Sequence, residues 1–273
     1  MRKIALLVVM LSYGIGFSQR TPKIKGNGKV TEVGEALPSF NAVELVDNLD
    51  VFLEQSNETG YSISADENLI DVLKLKVEDN TLKISSYYKI TGKKKLEITV
   101  RYNDLNKVTL SDGTIGSKET IILDELELTC LGYSKSNLKV NASVMDVFMK
   151  DNSTGDMNLK CDSLNVDLQD KADARIYSVT QTSKVQLQKN AKATLEGTVD
   201  SLSIHLADNA YVQAYKLEAG TIKATLEGGS KAEINAVNYL QLSSQGSSKT
   251  YLYGEGKITI DQFLDRSELI KRK

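Results

Sequence analysis

The chain has 273 residues, 26% of them charged, with 34 Lys and Arg against 36 Asp and Glu for a formal net charge of −2. That balance, without any basic cluster interleaved with aromatics, excludes a dedicated nucleic-acid surface. Two prolines and no tryptophan suit an elongated β protein, and two cysteines with the single His205 cannot assemble a zinc site.

In chain order, Arg2 and Lys3 precede an apolar run from Ile4 to Leu11, followed by small residues at Gly16 and Ser18. Residues 1–18 are therefore expected to be a secretory signal peptide, too short to span a bilayer as a stable helix. No Cys follows the run, so no lipid anchor is expected. The product should be exported to the periplasm, the cell surface or the exterior, with no transmembrane segment after cleavage. Residues 19–37, with Lys25, Gly26, Asn27, Gly28 and Lys29 at their centre, read as a flexible lead-in, and order is expected to begin near Phe40.

Residues 38–104 read as an irregular N-terminal β layer. Alternating apolar residues predict strands at 43–45, 49–53, 61–63, 82–84 and 96–100. Between them, residues 67–73 form one helical-turn candidate, with Leu69 and Leu73 four apart. Asp79 and Asn80 mark a hairpin turn. Residues 87–95, which include Lys93, Lys94 and Lys95, read as a solvated tip.

From 105 to 262 a single pattern takes over. An apolar-x-apolar-x-apolar triplet, three polar or turn residues and a small-x-small-x-apolar stretch start afresh at Leu126, Met145, Leu164, Ser183, Leu202, Ile222 and Leu240. A partial copy precedes them (Val108, Leu110, Thr114, Gly116), and Ile258 with Ile260 begins an eighth. Period 2 means strands with one apolar face, and repeats of about 19 residues cannot bury that face alone, so they must stack. No stripe at i, i+3, i+4, i+7 supports helical repeats. The expected fold is therefore all-β, a single-stranded β-helix or solenoid, its handedness open. The small pair runs as a column from Ser134 and Ser136 through Ala172 and Ala174 to Ser248 and Thr250, as two closely approaching walls require. The third turn residue (Asn152, Asn190, Asn209, Gly229, and Gly113 in the partial copy) is expected to be a left-handed corner. Cys130 and Cys161 read as buried free thiols, with a disulfide as the alternative. Residues 263–273 read as a short polar C-terminal cap, for which a helix is one form.

Several stretches carry a family resemblance. They are Asp47 to Gln55 (DNLDVFLEQ), Ala65 to Leu69 (ADENL), Val77 to Ile84 (VEDNTLKI), Asp104 with Leu105, and Leu110 to Gly113 (LSDG). Across residues 38–255 the chain resembles the putative autotransporter adhesin head GIN domain family, a secreted domain of unknown function. The resemblance implies a β-helical fold outside the cytoplasm and supplies no catalytic residues. No segment of β-barrel length follows Ile260 to make the chain an autotransporter.

Chemistry is sparse. Outward acids such as Asp167, Asp173, Glu196 and Glu233 are spread over coils, whereas a retaining glycosidase wants two carboxyls about 5 Å apart. His205, between Ile204 and Leu206, points outward without a nucleophile elbow. Asp151, Asp170 and Asp208 occupy turns, but Lys189 and Gly246 interrupt any calcium column. No catalytic, metal or cofactor site is therefore expected. One surface feature stands out: Tyr177, Tyr215 and Tyr253 recur at one outward position every second coil, about 9.6 Å apart by strand spacing. Tyr211, Tyr251 and Arg175 lie on the same wall. Such amphipathic rings with cationic neighbours suit a glycan or an envelope protein. The expected function is thus a non-catalytic, adhesion-like module of the cell envelope. The alternatives are a carbohydrate-active β-helix enzyme of lyase or hydrolase type, or a purely structural envelope protein.

Overall fold

A computed structural model describes residues 22–273; the expected signal peptide lies outside the described residues. The strands in chain order are β1 (Lys23–Lys25), β2 (Val30–Ala36), β3 (Ala42–Leu45), β4 (Asp50–Gln55) and β5 (Gly60–Asp66), followed by a helical turn, α1 (Glu67–Ile70). Then come β6 (Leu73–Glu78), β7 (Thr81–Ser86), β8 (Lys89–Gly92), β9 (Leu96–Tyr102), β10 (Lys107–Leu110), β11 (Thr114–Ser117), β12 (Ile121–Ile122) and β13 (Glu125–Cys130). The coils proper are β14 (Lys135–Met149), β15 (Thr154–Leu168), β16 (Asp173–Leu187), β17 (Lys192–Leu206), β18 (Tyr211–Leu226) and β19 (Lys231–Ser244). β20 (Lys249–Tyr253), β21 (Lys257–Phe263) and β22 (Glu268–Lys271) complete the molecule.

The result is a β-solenoid of about nine turns with coils of about 19 residues. Successive long strands pair in parallel, one coil upon the next, as in Leu164 opposite Met145 and Ser183. The small-x-small stretch and the apolar triplet that follows it lie on one continuous strand, as in β15 from Thr154 to Leu168. Strands β14 to β17 share one point where two outward residues adjoin: Ser143 and Val144, Asp162 and Ser163, Gln181 and Thr182, Asp200 and Ser201. That parity slip bends the strand into a long and a short wall without a turn. In β14 to β17 the full turn of each coil is the polar triplet, and there the sequence reading is one residue out. The left-handed residue is the second of the triplet: Gly132, Asp151, Asp170, Lys189, Asp208, Gly228 and Gly246, with φ between 59° and 80°. Aspartate fits this corner because its carboxylate reaches the corner of the preceding coil. Asp151 accepts the Gly132 N–H at 3.1 Å, and Asp208 accepts the Lys189 N–H at 3.1 Å. The third residues, Asn152, Asn190 and Asn209, donate their own N–H to the carbonyl of the previous corner at 2.8–2.9 Å. A backbone ladder therefore runs up the edge. In the partial copy Gly113 does have a positive φ of 81°. The corner there is a residue shorter, so Ile115 rather than Thr114 or Gly116 aligns with Ser136.

The core is one continuous cluster from Phe40 to Leu252, and Ala172, Ala174, Ala191, Ala193 and Ala232 are buried in it as expected. Cys130 and Cys161 are buried and free. Burial pushes both thiols up to about 11, so neither is reactive at neutral pH.

The N-terminal layer holds the expected helical turn, with Leu69 buried. It also holds the hairpin, where Asp79 and Asn80 have φ of 49° and 59°, the pair a type I′ turn demands. The lead-in is different from the expectation. β2 lies antiparallel along β5, and β1 pairs with β8, so residues 23–36 and the supposed 87–95 tip are built into sheets. Asp66 explains this. Its carboxylate is buried and accepts N–H bonds from Lys94 (3.0 Å), Lys95 (3.1 Å) and Gly28 (3.3 Å). A Cβ on Gly26 would collide with that carboxylate, so the glycine at 26 makes room for the latch. The Lys94 N–H bond, opposed by desolvation but reinforced by Lys95, Gly28 and the Lys94 ammonium, holds the Asp66 carboxyl below its ordinary value. A group whose folded pKa is depressed stabilises fully above the unfolded value of about 4 and loses that contribution as pH falls through the folded value. Asp66→Asn should therefore lower stability at neutral pH, with the gap to wild type closing below about pH 4. Urea unfolding at the two pH values measures it, and a gap independent of pH would remove Asp66 from the latch.

The C-terminal expectation is also corrected. The coil begun at Ile258 and Ile260 does not stop at 262: β21 runs parallel to β19 and β22 parallel to β20, so residues 263–271 continue it in place of a polar or helical cap. The Gly246 N–H donates to Asp265 at 2.9 Å, and Asp265 is again left-handed.

Candidate functional site

The tyrosine wall exists, in a geometry the period does not predict. β18 is longer than its neighbours: Ala214 pairs with Ile234, but the next partnered residue is Glu218, opposite Asn235. Tyr215, Lys216 and Leu217 therefore bulge, as extra residues in one strand of a pair must. The Tyr215 carbonyl accepts from Asn235 Nδ2 at 3.3 Å, and its ring reaches Tyr253, centroid to centroid 5.4 Å with planes tilted by 35°. The even spacing of about 9.6 Å expected from two strand separations thus collapses into contact for this pair.

Four residues along the same strand, Tyr211 builds the second half. Lys231 inserts its ammonium between two rings, 4.7 Å from the Tyr211 centroid and 4.8 Å from that of Tyr251. Arg272 lies 5.0 Å from the Tyr251 centroid. Glu233 closes the group, 2.7 Å from Lys231 Nζ and accepting the Tyr211 hydroxyl at 2.8 Å. Burial raises the Tyr211 hydroxyl pKa, and Glu233 raises it further. Burial pushes the Glu233 carboxyl upward, but Lys231 and the Tyr211 hydroxyl outweigh it and leave it below its ordinary value. Both therefore hold their charge states at neutral pH, the Tyr211 hydroxyl neutral and Glu233 ionised beside Lys231. Lys216, 6.0 Å from the Tyr215 ring and 3.1 Å from Glu196, borders it.

Two of the expected residues stand apart. Tyr177 is 48% exposed and pairs across its strands with Asn158 and Glu196. Arg175 is turned to Asp156 at 3.3 Å. In turn, Arg272 and Lys216 are participants that the sequence reading missed. Extending the repeat past Ile260 would have placed Arg272 nineteen positions beyond Tyr253; nothing local announces the bulge that brings in Lys216.

The acids are arranged less like a catalytic centre than like a ladder. Glu127 and Asp146 are direct cross-strand partners, on backbones about 4.8 Å apart. Each, however, is turned to a different neighbour: Glu127 to Lys107 at 2.8 Å, and Asp146 to Asn165 at 2.7 Å. They line a shallow depression of about 200 Å³ with Asp167 and Lys184. His205 faces Gln186 and Thr225 across the strands. Asp151 and Asp208 spend a carboxylate oxygen on backbone N–H groups, as described above, and Asp170 pairs with Lys189.

Two overlapping segments, residues 39–180 and 151–256, match the family model described as "Putative auto-transporter adhesin, head GIN domain". No curated protein matches the sequence. Three solved structures are among those that share the fold. They are a "putative lipid binding protein" from Parabacteroides distasonis (18% identity, TM-score 0.64), a "putative adhesin" from Parabacteroides merdae (17%, 0.67) and a second "putative adhesin" from Parabacteroides distasonis (16%, 0.65). In each case 92% of this chain and 100% of the other are covered.

Proposed function

The chain belongs to the auto-transporter adhesin head GIN domain family, and from that premise we propose that it is an exported, non-catalytic binding module of the cell envelope whose contact surface is the Tyr211, Tyr215, Tyr251 and Tyr253 wall. The observation that carries this reading is the four-tyrosine cluster, Tyr211 and Tyr251 around Lys231, with Tyr215 against Tyr253. Ordered aromatic rings give contact area at little entropic cost, and hot spots favour tyrosine and arginine. Glycans are the ligand class we favour, since a sugar can rest on the Tyr215 and Tyr253 pair while the hydroxyls and Arg272 meet its polar groups. The lipid-binding description of one fold neighbour is not needed for this.

The test is a glycan array probed with the purified protein. A Tyr215→Ala, Tyr251→Ala, Tyr253→Ala triple variant should lose at least about tenfold in affinity. Tyr177→Ala and Arg175→Ala should leave binding within about twofold, because neither residue joins the cluster. Glycan binding that survives the folded triple variant moves the site elsewhere, and no binding to any glycan or envelope protein would favour a purely structural role.

A further inference from the structure

The last coil shows its interior. Ile258 and Ile260 occupy the inward positions that Leu240 and Leu242 occupy one coil earlier. Leu240 and Leu242 are fully buried, whereas Ile258 is 41% and Ile260 48% exposed. Phe263 and Leu264 beside them are similarly bare. Among the described residues β21 pairs only with β19, so its other edge keeps unpaired N–H and C=O groups. An edge of this kind is a template for another strand.

The sequence of β21 says which strand fits. Around Thr259 it is a chemical palindrome: Ile258 and Ile260 flank the centre, and Lys257 and Asp261 flank those. We infer that the C-terminal end of the solenoid binds a second copy of the same chain, tail to tail about a twofold axis through Thr259, with the two β21 strands antiparallel. In that register Ile258 faces the second copy's Ile260 twice, closing the open core. Lys257 faces the second copy's Asp261 twice, on the outer wall. Opposite charges across antiparallel strands attract and like charges repel. Moving the axis by one residue toward the N-terminus sets Asp261 opposite Glu255, and one residue the other way sets Lys257 opposite Phe263. The charges therefore select one register, as a strand with one buried face requires. The opposite end of the molecule offers no such match. Its outer strand β2 carries Glu32 and Glu35 and is exposed at every residue, and head-to-tail stacking there would not close. This inference is independent of the tyrosine wall, which lies on the outer face.

Sedimentation equilibrium over a concentration series is the experiment, with a charge swap as its probe. The wild type should be a dimer in reversible exchange with monomer. Lys257→Glu should weaken dimerisation by about tenfold or more, since each dimer then holds two repelling pairs. Adding Asp261→Lys to it should restore the dimer, because the attraction is re-formed with its sign reversed. All of these residues are exposed, so circular dichroism should show unchanged folding. As a second reading, Thr259→Cys should cross-link into a dimer on mild oxidation. Residues paired across antiparallel strands stand about 4.5–5.5 Å apart at Cα, within disulfide reach. A wild type that stays monomeric up to its solubility limit overturns the proposal. So does a concentration-dependent filament, or a double variant that fails to recover.

Discussion

Gly197→Ala is expected to destabilise the protein by about 2–4 kcal/mol, an unusual cost for one methyl group. Gly197 sits in mid-strand with φ of +112°, and the Cβ position is already taken by the Ser178 carbonyl oxygen of the preceding coil. Backbone strain of this kind costs about 1–3 kcal/mol, and pushing the Ser178 carbonyl aside weakens an inter-coil hydrogen bond worth about 1 kcal/mol. The same spot is where the register between β17 and β18 slips, between Thr194 and Glu196. The substitution should therefore also disturb the Tyr215 and Tyr253 contact one coil on, seen as altered near-ultraviolet circular dichroism of tyrosine. Denaturant unfolding gives the energy. A loss under about 1 kcal/mol would mean that β17 accepts a side chain there, and the bulge would not depend on glycine.

Ile176→Ala should cost as much or more, about 2–5 kcal/mol. Ile176 is fully buried between Met157 of the coil before and Leu195 of the coil after. Its in-strand neighbours inside the core are Ala174 and Ser178, both too small to fill the vacated space. In a stacked array each coil contacts only its neighbours, so the cavity weakens both the β15–β16 and β16–β17 interfaces. Unfolding should become broader as well as earlier, because the two halves are less tightly coupled. Hydrogen exchange should show protection lost first in β16 and kept longest in the coils farthest from it. Uniform loss of protection along the whole solenoid would contradict that nearest-neighbour picture.

How much of this was legible in the sequence depended on whether the physics is local. The alternation of Leu164, Val166 and Leu168, the 19-residue spacing and the Ala172 and Ala174 column are properties of single coils. Burial of those faces has one economical solution, stacking, so the solenoid and its core could be read directly. The hairpin at Asp79 and Asn80 was equally local, since two adjacent left-handed residues specify a turn. Where the reading slipped, a distant partner decided. The corner sits at Asp151 and not Asn152 because the aspartate carboxylate bonds a backbone N–H nineteen residues earlier. Residues 23–25 and 30–36 lie in sheets because Asp66, some forty positions on, gathers Gly28, Lys94 and Lys95.

The tyrosine wall shows the same division. Periodicity alone placed Tyr177, Tyr215 and Tyr253 in one row and suggested a common face. The bulge in β18 separated them: Glu196, the partner of Tyr177, pairs with Lys216 and not with Tyr215, while the Tyr215 ring meets Tyr253. The sequence by itself determined the fold class, the coil length and the inward face, because hydrophobic burial at a fixed period admits only one stacking. Only the tertiary structure decided which tyrosines touch, which cations hold them and which strand edge stays open. Those depend on inter-coil register, and one extra residue in a strand shifts register without changing the hydrophobic pattern that the sequence displays.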